Sequence, residues 1–500
     1  MMKRDVTLVA SLHPQSSLHD LGSFSFGRSS TYLEIRGDLG REMDTDWLRG
    51  NLHGDLLYSL RSRAEGGACE HSPAIRRERF IRAARHYDLI ELEGERDLHS
   101  DVLEAVPPSK RVISWRGSTN CRDLIAKVQY LSATPARYYK IVTVPAHPGD
   151  EVAPLAMLAA LRRTDTVAFA EGDSYWTRLV APSLGAPLIF ADTANGGKNV
   201  PTVSQLRQDY GFPSLPVIRN LFGIVGANTA RSLSPRLHNA AFRALGRPSL
   251  FVSLPAADFH EFWTKLVQSA DFAALGLNLK ALTVTSPFKT CALQVADEQS
   301  EMVGYTRSTN LFLKLGTRWR AETTEAEGVL PVLKEHRITI AGKTAAVVGC
   351  GGSGRVVAAA LARAGANVTL VNRSVEHGEF ASALLGLPFV PLSKFSVRGF
   401  SLVVNATPVG RDGNQIPFLL HDLDGDAVIV DQVYGERPTP LVQRAEAMGR
   451  RVIDGFDVLL GQVRQQFLRM NGEPMPSEAI CEAVGPQLAN RASRRAAAPC

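Results

Sequence analysis

The sequence predicts an α/β protein in which a (β/α)8 TIM barrel precedes a two-domain unit ending in a Rossmann domain. Three observations carry this. Eight short apolar runs, most followed by room for a helix, repeat from VTLVASL to PLIFAD. A fresh α/β stretch opens at LFGIVGA, beyond the proline-bearing segment GFPSLPVIRN. A glycine-rich turn then joins a strand to an alanine-rich helix in KTAAVVGCGGSGRVVAAALARAGANVTLVNRS.

The eight runs are VTLVASL, TYLEIRG, DLLYSLR, YDLIELE, RVISWR, YYKIVTV, TVAFAEG and PLIFAD, all rich in β-branched residues. Between them PAIRRERFIRAARH, CRDLIAKVQYLSA and EVAPLAMLAALRR place apolar residues at helical spacing. The second and eighth helices give weaker signals. Strand–helix alternation repeated eight times is the pattern of a (β/α)8 barrel. The expected division is a barrel over residues 1–212, a linker near 211–220, a substrate-binding domain over 218–330, a dinucleotide-binding domain over 331–450, and C-terminal helices over 451–488.

Composition narrows the function classes. A chain of 500 residues predicts two or three domains. Hydrophobic content of 45% with 21% charged residues is that of a soluble globular protein. No apolar run approaches the ~20 residues needed to span a bilayer, so no membrane partner is expected. The net charge of +6 is mild and unclustered, which argues against nucleic acid and suits small anionic substrates. Six scattered cysteines without a C-x-x-C pair argue against a disulfide framework or a metal site and fit a cytoplasmic protein. MMKRDVTLVASL reads as a first strand and not as a signal segment, and ANRASRRAAAPC as a frayed end. A monomer and a homodimer are both open.

In a barrel enzyme the chemistry sits at the C-terminal strand ends. Glu34 and Arg36 close the second strand, Arg61 closes the third with Glu65 just after, Arg116 closes the fifth, and Arg178 follows the seventh. Arginines converging on one mouth point to an anionic substrate such as a carboxylate. Lys140 interrupts the apolar sixth strand. A lysine in an enclosed, cation-rich pocket has a depressed pKa and can form a Schiff base with a ketone.

The turn Gly349-Cys350-Gly351-Gly352-Ser353-Gly354 lets a backbone approach a pyrophosphate at a helix N-terminus. The second strand of this unit ends in Asn372-Arg373-Ser374, where an NAD enzyme would carry a carboxylate for the ribose hydroxyl. Arg373 can instead pair with a 2′-phosphate, which predicts NADP as the cofactor.

Five separated segments resemble, in order, the shikimate dehydrogenase family over roughly residues 218–475. GIVGANTARSLSPRLHNAAF resembles its opening substrate loop, with Ser232 and Ser234 in the S-x-S-P positions. ALTVTSPFK resembles the segment that carries Thr285 and the catalytic lysine, here Lys289. VVNATPVG, with Asn405, Thr407 and Gly410, resembles the loop beside the nicotinamide. DQVYGERPTPL and DGFDVLLGQ resemble the closing segments, placing Tyr434 and Gln462 against substrate and Gly455 against the cofactor. AETTEAEG stands where the family has an asparagine and a catalytic aspartate; Thr323 and Glu325 fill those positions here. Asn310 matches a further substrate-binding asparagine. The resemblance implies NADP-dependent reduction of a cyclic ketone, with a lysine–carboxylate pair delivering a proton to the forming alkoxide. Final helices packed back on the substrate domain are also implied.

The barrel residues resemble type I 3-dehydroquinate dehydratase. YLEIRGDL, SLRSRAEGG and YYKIVTV match its E-x-R-x-D, R-x-x-x-E-G-G and lysine-strand segments. That enzyme works through an imine and makes the substrate of the dehydrogenase half, so the fusion would join consecutive steps on cyclic hydroxy-acids. Two departures stand out. Arg116 occupies the place of the family's histidine base, and arginine is a poor proton acceptor. The late serine-to-glutamine loop reads GGKNVPT, with Val200 in the glutamine position. His71 or His147 could replace the base, the barrel could act on a related substrate, or it could be an impaired scaffold. The second overall reading is accordingly an NADP-dependent quinate/shikimate-type dehydrogenase with a repurposed barrel.

Overall fold

The computed structural model describes residues 6–12, 31–40, 43–52, 54–118, 120–172, 175–193, 200–435 and 437–485. They form two compact units, one of residues 1–222 with 228–279 and one of residues 223–227 with 280–500. Among the described residues no helix is long and apolar enough to cross a membrane.

The first unit contains the barrel. Its strands are β1 (Thr7–Leu12), β2 (Thr31–Arg36), β3 (Asp55–Ser59), β4 (Leu89–Glu93), β5 (Arg111–Gly117), β6 (Tyr138–Thr143), β7 (Thr166–Ala170) and β8 (Leu188–Asp192). They run in parallel in the order β8-β1-β2-β3-β4-β5-β6-β7. Every strand sends a side chain into one shared core that includes Val9, Tyr32, Leu57, Val112, Val142 and Phe190. The rings of Phe169 on β7 and Phe190 on β8 lie 5.9 Å apart, bringing the two edge strands together. The sheet is thus rolled around its own interior, as the repeated strand–helix pattern predicts.

The outer helices are α1 (Thr45–Asn51), α2 (Pro73–Ala83), α3 (Ser100–Ala105), α4 (Cys121–Leu131), α5 (Ala153–Leu161), α6 (Trp176–Val180) and α7 (Val203–Tyr210). The two with weak sequence signals, α1 and α7, are fixed by their caps. The Asp44 carboxylate accepts from the amides of Asp46 and Trp47, and Thr202 with Gln205 forms a reciprocal capping box. The segment read as a linker is packed: Phe212, Leu215 and Ile218 are buried, and the Ile218 amide donates to Ser183 Oγ at 3.2 Å. Its prolines shape a turn, while its apolar residues find the core. Beyond it, after β9 (Asn220–Gly226), α8 (Ser234–Ala244), β10 (Ser249–Pro255) and α9 (Ala270–Ala274) follow.

The strands β11 (Asn278–Val284), β12 (Glu298–Gln299), β13 (Leu311–Leu315) and β14 (Arg318–Glu322) complete a six-stranded sheet of order β10-β9-β11-β13-β14-β12. The second unit also holds a six-stranded parallel sheet of β15 (Thr344–Val348), β16 (Asn367–Asn372), β17 (Phe389–Pro391), β18 (Leu402–Asn405), β19 (Val428–Asp431) and β20 (Arg451–Ile453). Its order, β17-β16-β15-β18-β19-β20, reverses direction beside β15, where doubly wound folds bind nucleotides. Val347 and Val348 point to opposite faces and enter separate cores, so both sides of this sheet are covered.

The helices of this unit are α10 (Glu301–Thr306), α11 (Glu325–Glu335), α12 (Gly352–Arg363), α13 (Val375–Leu385), α14 (Pro440–Ala447), α15 (Gly455–Asn471) and α16 (Ser477–Val484). Helix α15 packs closely on α11. A Cβ at Gly328 would lie 2.4 Å from Gln462 Cγ, so only glycine permits this approach. Arg469 pins the same contact, donating to Glu322 at 3.0 Å and to the Thr323 carbonyl at 3.1 Å, and pairing with Glu327.

Candidate active sites

In the second unit Lys289 sits in the loop after β11, and its ammonium donates to Glu325 Oε1 and to Ser353 Oγ, the latter at 2.7 Å. Glu325 opens α11 and is 2% exposed. Its carboxylate also accepts from Ser353 Oγ at 3.0 Å and from Gln462 Nε2 at 2.8 Å. A buried carboxylate holding a cation and two neutral donors is well satisfied. Four sequence candidates therefore converge: Lys289, Glu325, Ser353 and Gln462. The added methylene of Glu325, relative to an aspartate, lets one side chain reach α15 and the glycine-rich turn together.

That turn passes the lysine loop closely. A Cβ at Gly352 would stand 2.5 Å from Ser308 Oγ and 3.1 Å from Lys289 Cβ. Gly349, Gly351 and Gly354 lie in the same turn and first helical residues, with Gly349 at φ +108°. Asn372 Oδ1 accepts from the Cys350 amide at 3.1 Å, tying the end of β16 to the turn. Arg373 beside it is exposed and makes no ion pair among the described residues. Ser374 caps α13 through the His377 amide.

Other candidates have structural work. Asn310 is buried and bound at both ends to Thr324, shaping the turn into α11. Asn405 donates to Asp431 at 2.9 Å and accepts from both the amide and the hydroxyl of Thr407. Thr439 Oγ1 donates to the same Asp431 at 2.5 Å, and burial raises this carboxyl above its ordinary range. Gly455, the first residue of α15, lets the chain pass the Val433 carbonyl at 2.2 Å from its missing Cβ. Thr285 and Tyr434 are half-buried. Ser232 and Ser234, in the first unit, stand at the start of α8, with the Ser234 amide donating to Ser232 Oγ at 3.2 Å.

In the barrel Lys140 is 2% exposed. Its ammonium meets both oxygens of Glu91, at 3.1 and 2.9 Å, and lies 4.2 Å from the centroid of the Phe190 ring. The expected cation-rich setting is thus corrected: a carboxylate from β4, two strands away, faces this lysine directly. Glu34 on β2 accepts from Ser11 and, at 2.7 Å, from Ser59, with Arg61 at 4.0 Å. Burial pushes its carboxyl up, but Lys140, Arg61 and Arg36 outweigh that and hold it well below the usual carboxylate range. Glu65 has the opposite fate. Burial first, and then the charges of Glu93 and Glu91, push it up to about 8.

The arginines divide. Arg36 is bound in a fork to Asp38 at 2.8 and 2.7 Å. Arg116 is bound to both oxygens of Glu171, so the place of the expected histidine holds an ion pair. Arg178 is 5% exposed and lies 3.8 Å over the Phe169 ring, its Nε without a hydrogen-bond partner among the described residues. Burial lowers its pKa to about 10, with Arg61 adding to the fall against the pull of Glu171, Glu34 and Asp192. His71 is exposed against Arg79 at 2.8 Å, and His147 is exposed in the turn closed by Asp150. No hydrogen bond joins either to Lys140 or Glu91 among the described residues. Most of the late loop, residues 194–199, lies outside the described residues.

The reading from sequence missed Glu91, Glu93 and Glu171. In LIELE two carboxylates interrupt an apolar strand at alternate positions and so share a face, the signal that singled out Lys140.

The type I 3-dehydroquinase family profile matches residues 35–214, and that of the shikimate dehydrogenase substrate-binding domain matches residues 224–311. A shikimate dehydrogenase (NADP(+)) of Halorubrum lacusprofundi is 35% identical over 279 residues, covering 54% of this chain and 99% of that protein. The chloroplastic bifunctional 3-dehydroquinate dehydratase/shikimate dehydrogenase of Arabidopsis thaliana is 25% identical over 455 residues, covering 84% of this chain and 74% of that protein. Among solved structures, shikimate 5-dehydrogenase from Thermus thermophilus in complex with NADP(H) and shikimate aligns at 29% identity and a TM-score of 0.47, over 54% of this chain and 99% of that one. The chain belongs to the shikimate dehydrogenase family, joined in one polypeptide behind a type I 3-dehydroquinase domain.

Proposed function

We propose that the chain carries out two consecutive steps: dehydration of 3-dehydroquinate to 3-dehydroshikimate in the barrel, then NADPH-dependent reduction of that ketone to shikimate. The observation that carries the reading is the Lys289–Glu325 pair set against the glycine-rich turn through Ser353.

The nucleotide fits the residues present. The cradle at Gly352 leaves room only for hydrogen, α12 offers its N-terminal amides, and the exposed Arg373 stands where a 2′-phosphate needs a cation. When bound, NADPH supplies the hydride. Lys289 stabilises the developing alkoxide and gives it a proton, while Glu325 keeps the ammonium charged and in place. Gln462 and Ser353 fix the carboxylate. Ser232 and Ser234 are assigned to substrate contacts through their motif, and Asn310 to shaping the turn that carries Glu325.

In the barrel Glu91 takes the ammonium proton of Lys140, and the free amine attacks the substrate ketone. Loss of the carbonyl oxygen as water leaves an imine on Nζ. Arg178, buried with no partner to Nε among the described residues, receives the substrate carboxylate. Glu65 is assigned the proton transfers that a histidine would otherwise make. In its charged form it removes the proton beside the imine, the hydroxyl departs as water, and hydrolysis of the imine restores Lys140. Scattered free cysteines support a reducing, cytoplasmic setting.

The test is direct. Purified protein is given 3-dehydroquinate without nucleotide, and the ultraviolet absorbance of the conjugated product is followed. Shikimate with NADP is assayed separately. Both signals are expected. A flat absorbance trace alongside active shikimate oxidation would remove the barrel step and leave the reductase.

A further inference from the structure

We propose that the last helix of the barrel is a positioning element for the reductase. Asp209 on α7 holds Arg236 and Asn239 on α8, and so sets the attitude of the helix at whose start Ser232 and Ser234 stand. The inference rests on the proposed function only in taking these serines as substrate contacts.

The geometry is specific. Arg236 Nε donates to Asp209 Oδ1 at 2.6 Å. Asn239 Nδ2 donates to the Asp209 backbone carbonyl at 3.0 Å and to the Phe251 carbonyl at 2.8 Å, while its Oδ1 accepts from the Phe251 amide at 2.8 Å. Asn239 is 2% exposed. The last four carbonyls of a helix lack internal partners. That of Asp209 is one of them on α7, and its donor comes from α8. A single buried amide therefore joins the end of the barrel helix, α8 and the edge of β10.

The substrate loop is fixed to the same frame. The Ser232 amide donates to the Thr229 carbonyl at 3.0 Å, and Ser253 Oγ on β10 donates to Thr229 Oγ1 at 2.6 Å. Arg236 lies within one helical turn of Ser234, so little compliance separates the barrel contact from the serines. Neither Arg236 nor Asn239 belongs to the chemistry described above.

The experiment uses the full chain. Arg236 is 26% exposed, so Arg236→Gln is expected to fold; Asp209→Ala and the reciprocal pair Asp209→Arg with Arg236→Asp complete the set. Each single change is expected to raise the KM for shikimate about fivefold, the scale of one partly exposed ion pair, leaving the KM for NADP and the barrel rate unchanged. The reciprocal pair should bring the shikimate KM back toward wild type. Amide hydrogen exchange over residues 229–239 gives a readout independent of catalysis, and should quicken in Arg236→Gln while the barrel strands stay protected. Unchanged exchange in that segment, or a shikimate KM equal to wild type in a folded variant, overturns the proposal. If wild type shows no shikimate-dependent NADP reduction, the proposed function fails, while the exchange measurement still decides this inference.

Discussion

Lys140 and Lys289 are each bound by a glutamate, yet the two pairs stand in different surroundings. Lys140 stands on a strand inside a barrel, 2% exposed, with an aromatic ring beside it and both oxygens of Glu91 against its ammonium. Lys289 stands in a loop with its side chain 19% exposed, and its second partner is a hydroxyl from the glycine-rich turn. A lysine that must form a bond to substrate gains from enclosure and from a neighbour that can take its proton. A lysine that only gives a proton to an alkoxide gains from staying charged and aimed. The pairing residue is the same; the difference in surroundings is what the two proposed roles rest on.

The sharpest way to break this comparison is to remove each lysine in turn. Lys140→Ala should abolish the nucleotide-independent reaction, and Lys289→Ala should lower NADP-linked turnover by about a thousandfold, each leaving the other activity intact. Borohydride with 3-dehydroquinate, read by peptide mass, should leave an adduct on Lys140 and none on Lys289. An adduct on Lys289 would reverse the assignment of roles.

Next in size is Glu65. Glu65→Gln should slow the barrel step about a hundredfold or more and erase the rise of its rate with pH near 8. The same variant has a stability signature. Glu65 is raised in the fold, so the stability tied to its protonated form is present below the ordinary carboxylate range and is lost as pH rises through about 8. Glu34 is lowered, so its contribution is present above that range and is lost on acidification. Glu65→Gln should therefore melt higher than wild type at pH 9 and show little difference at pH 5. Equal melting temperatures at pH 9 would place Glu65 in water and remove it as a proton carrier.

Smaller effects sharpen the reductase half. Glu325→Asp retracts the carboxylate by about 1 Å and should cost roughly tenfold in turnover, because Ser353 and Gln462 cannot both be reached. Turnover equal to wild type would show that the longer side chain is incidental. Arg373→Ala should raise the KM for NADP about tenfold while leaving that for NAD nearly constant, which a two-cofactor titration measures.

Much of this was readable in the chain because strands and lysines advertise themselves. An apolar run broken by one charge marks Lys140, and a glycine-rich turn between strand and helix marks the proposed nucleotide site. The partners were harder to read. Glu91 reaches Lys140 across β5, a pairing fixed by barrel register and not by sequence distance. Asn405 and Thr407 stand in a motif expected to lie beside the cofactor, and the loop they belong to is braced by a buried carboxylate further along, Asp431, which binds Asn405 while Asn405 binds Thr407. Arg36 and Arg116 sit at the barrel mouth as their positions imply. Whether each is free for substrate depended on Asp38 and Glu171, whose reach no spacing reveals. The packed segment 211–220 misled for a simpler reason: prolines announce a turn and say nothing of whether its apolar neighbours are covered.

The contact at Gly352 has a bearing on how such an enzyme can be altered. With only 3.1 Å to Lys289 Cβ from the place a methyl would take, the turn proposed to cradle the coenzyme and the loop that bears the proposed acid are a single machined joint. They cannot be exchanged as separate parts. A graft that swaps coenzyme preference by replacing the turn will also re-aim Lys289, so redesign of one reactant's berth is redesign of the other's.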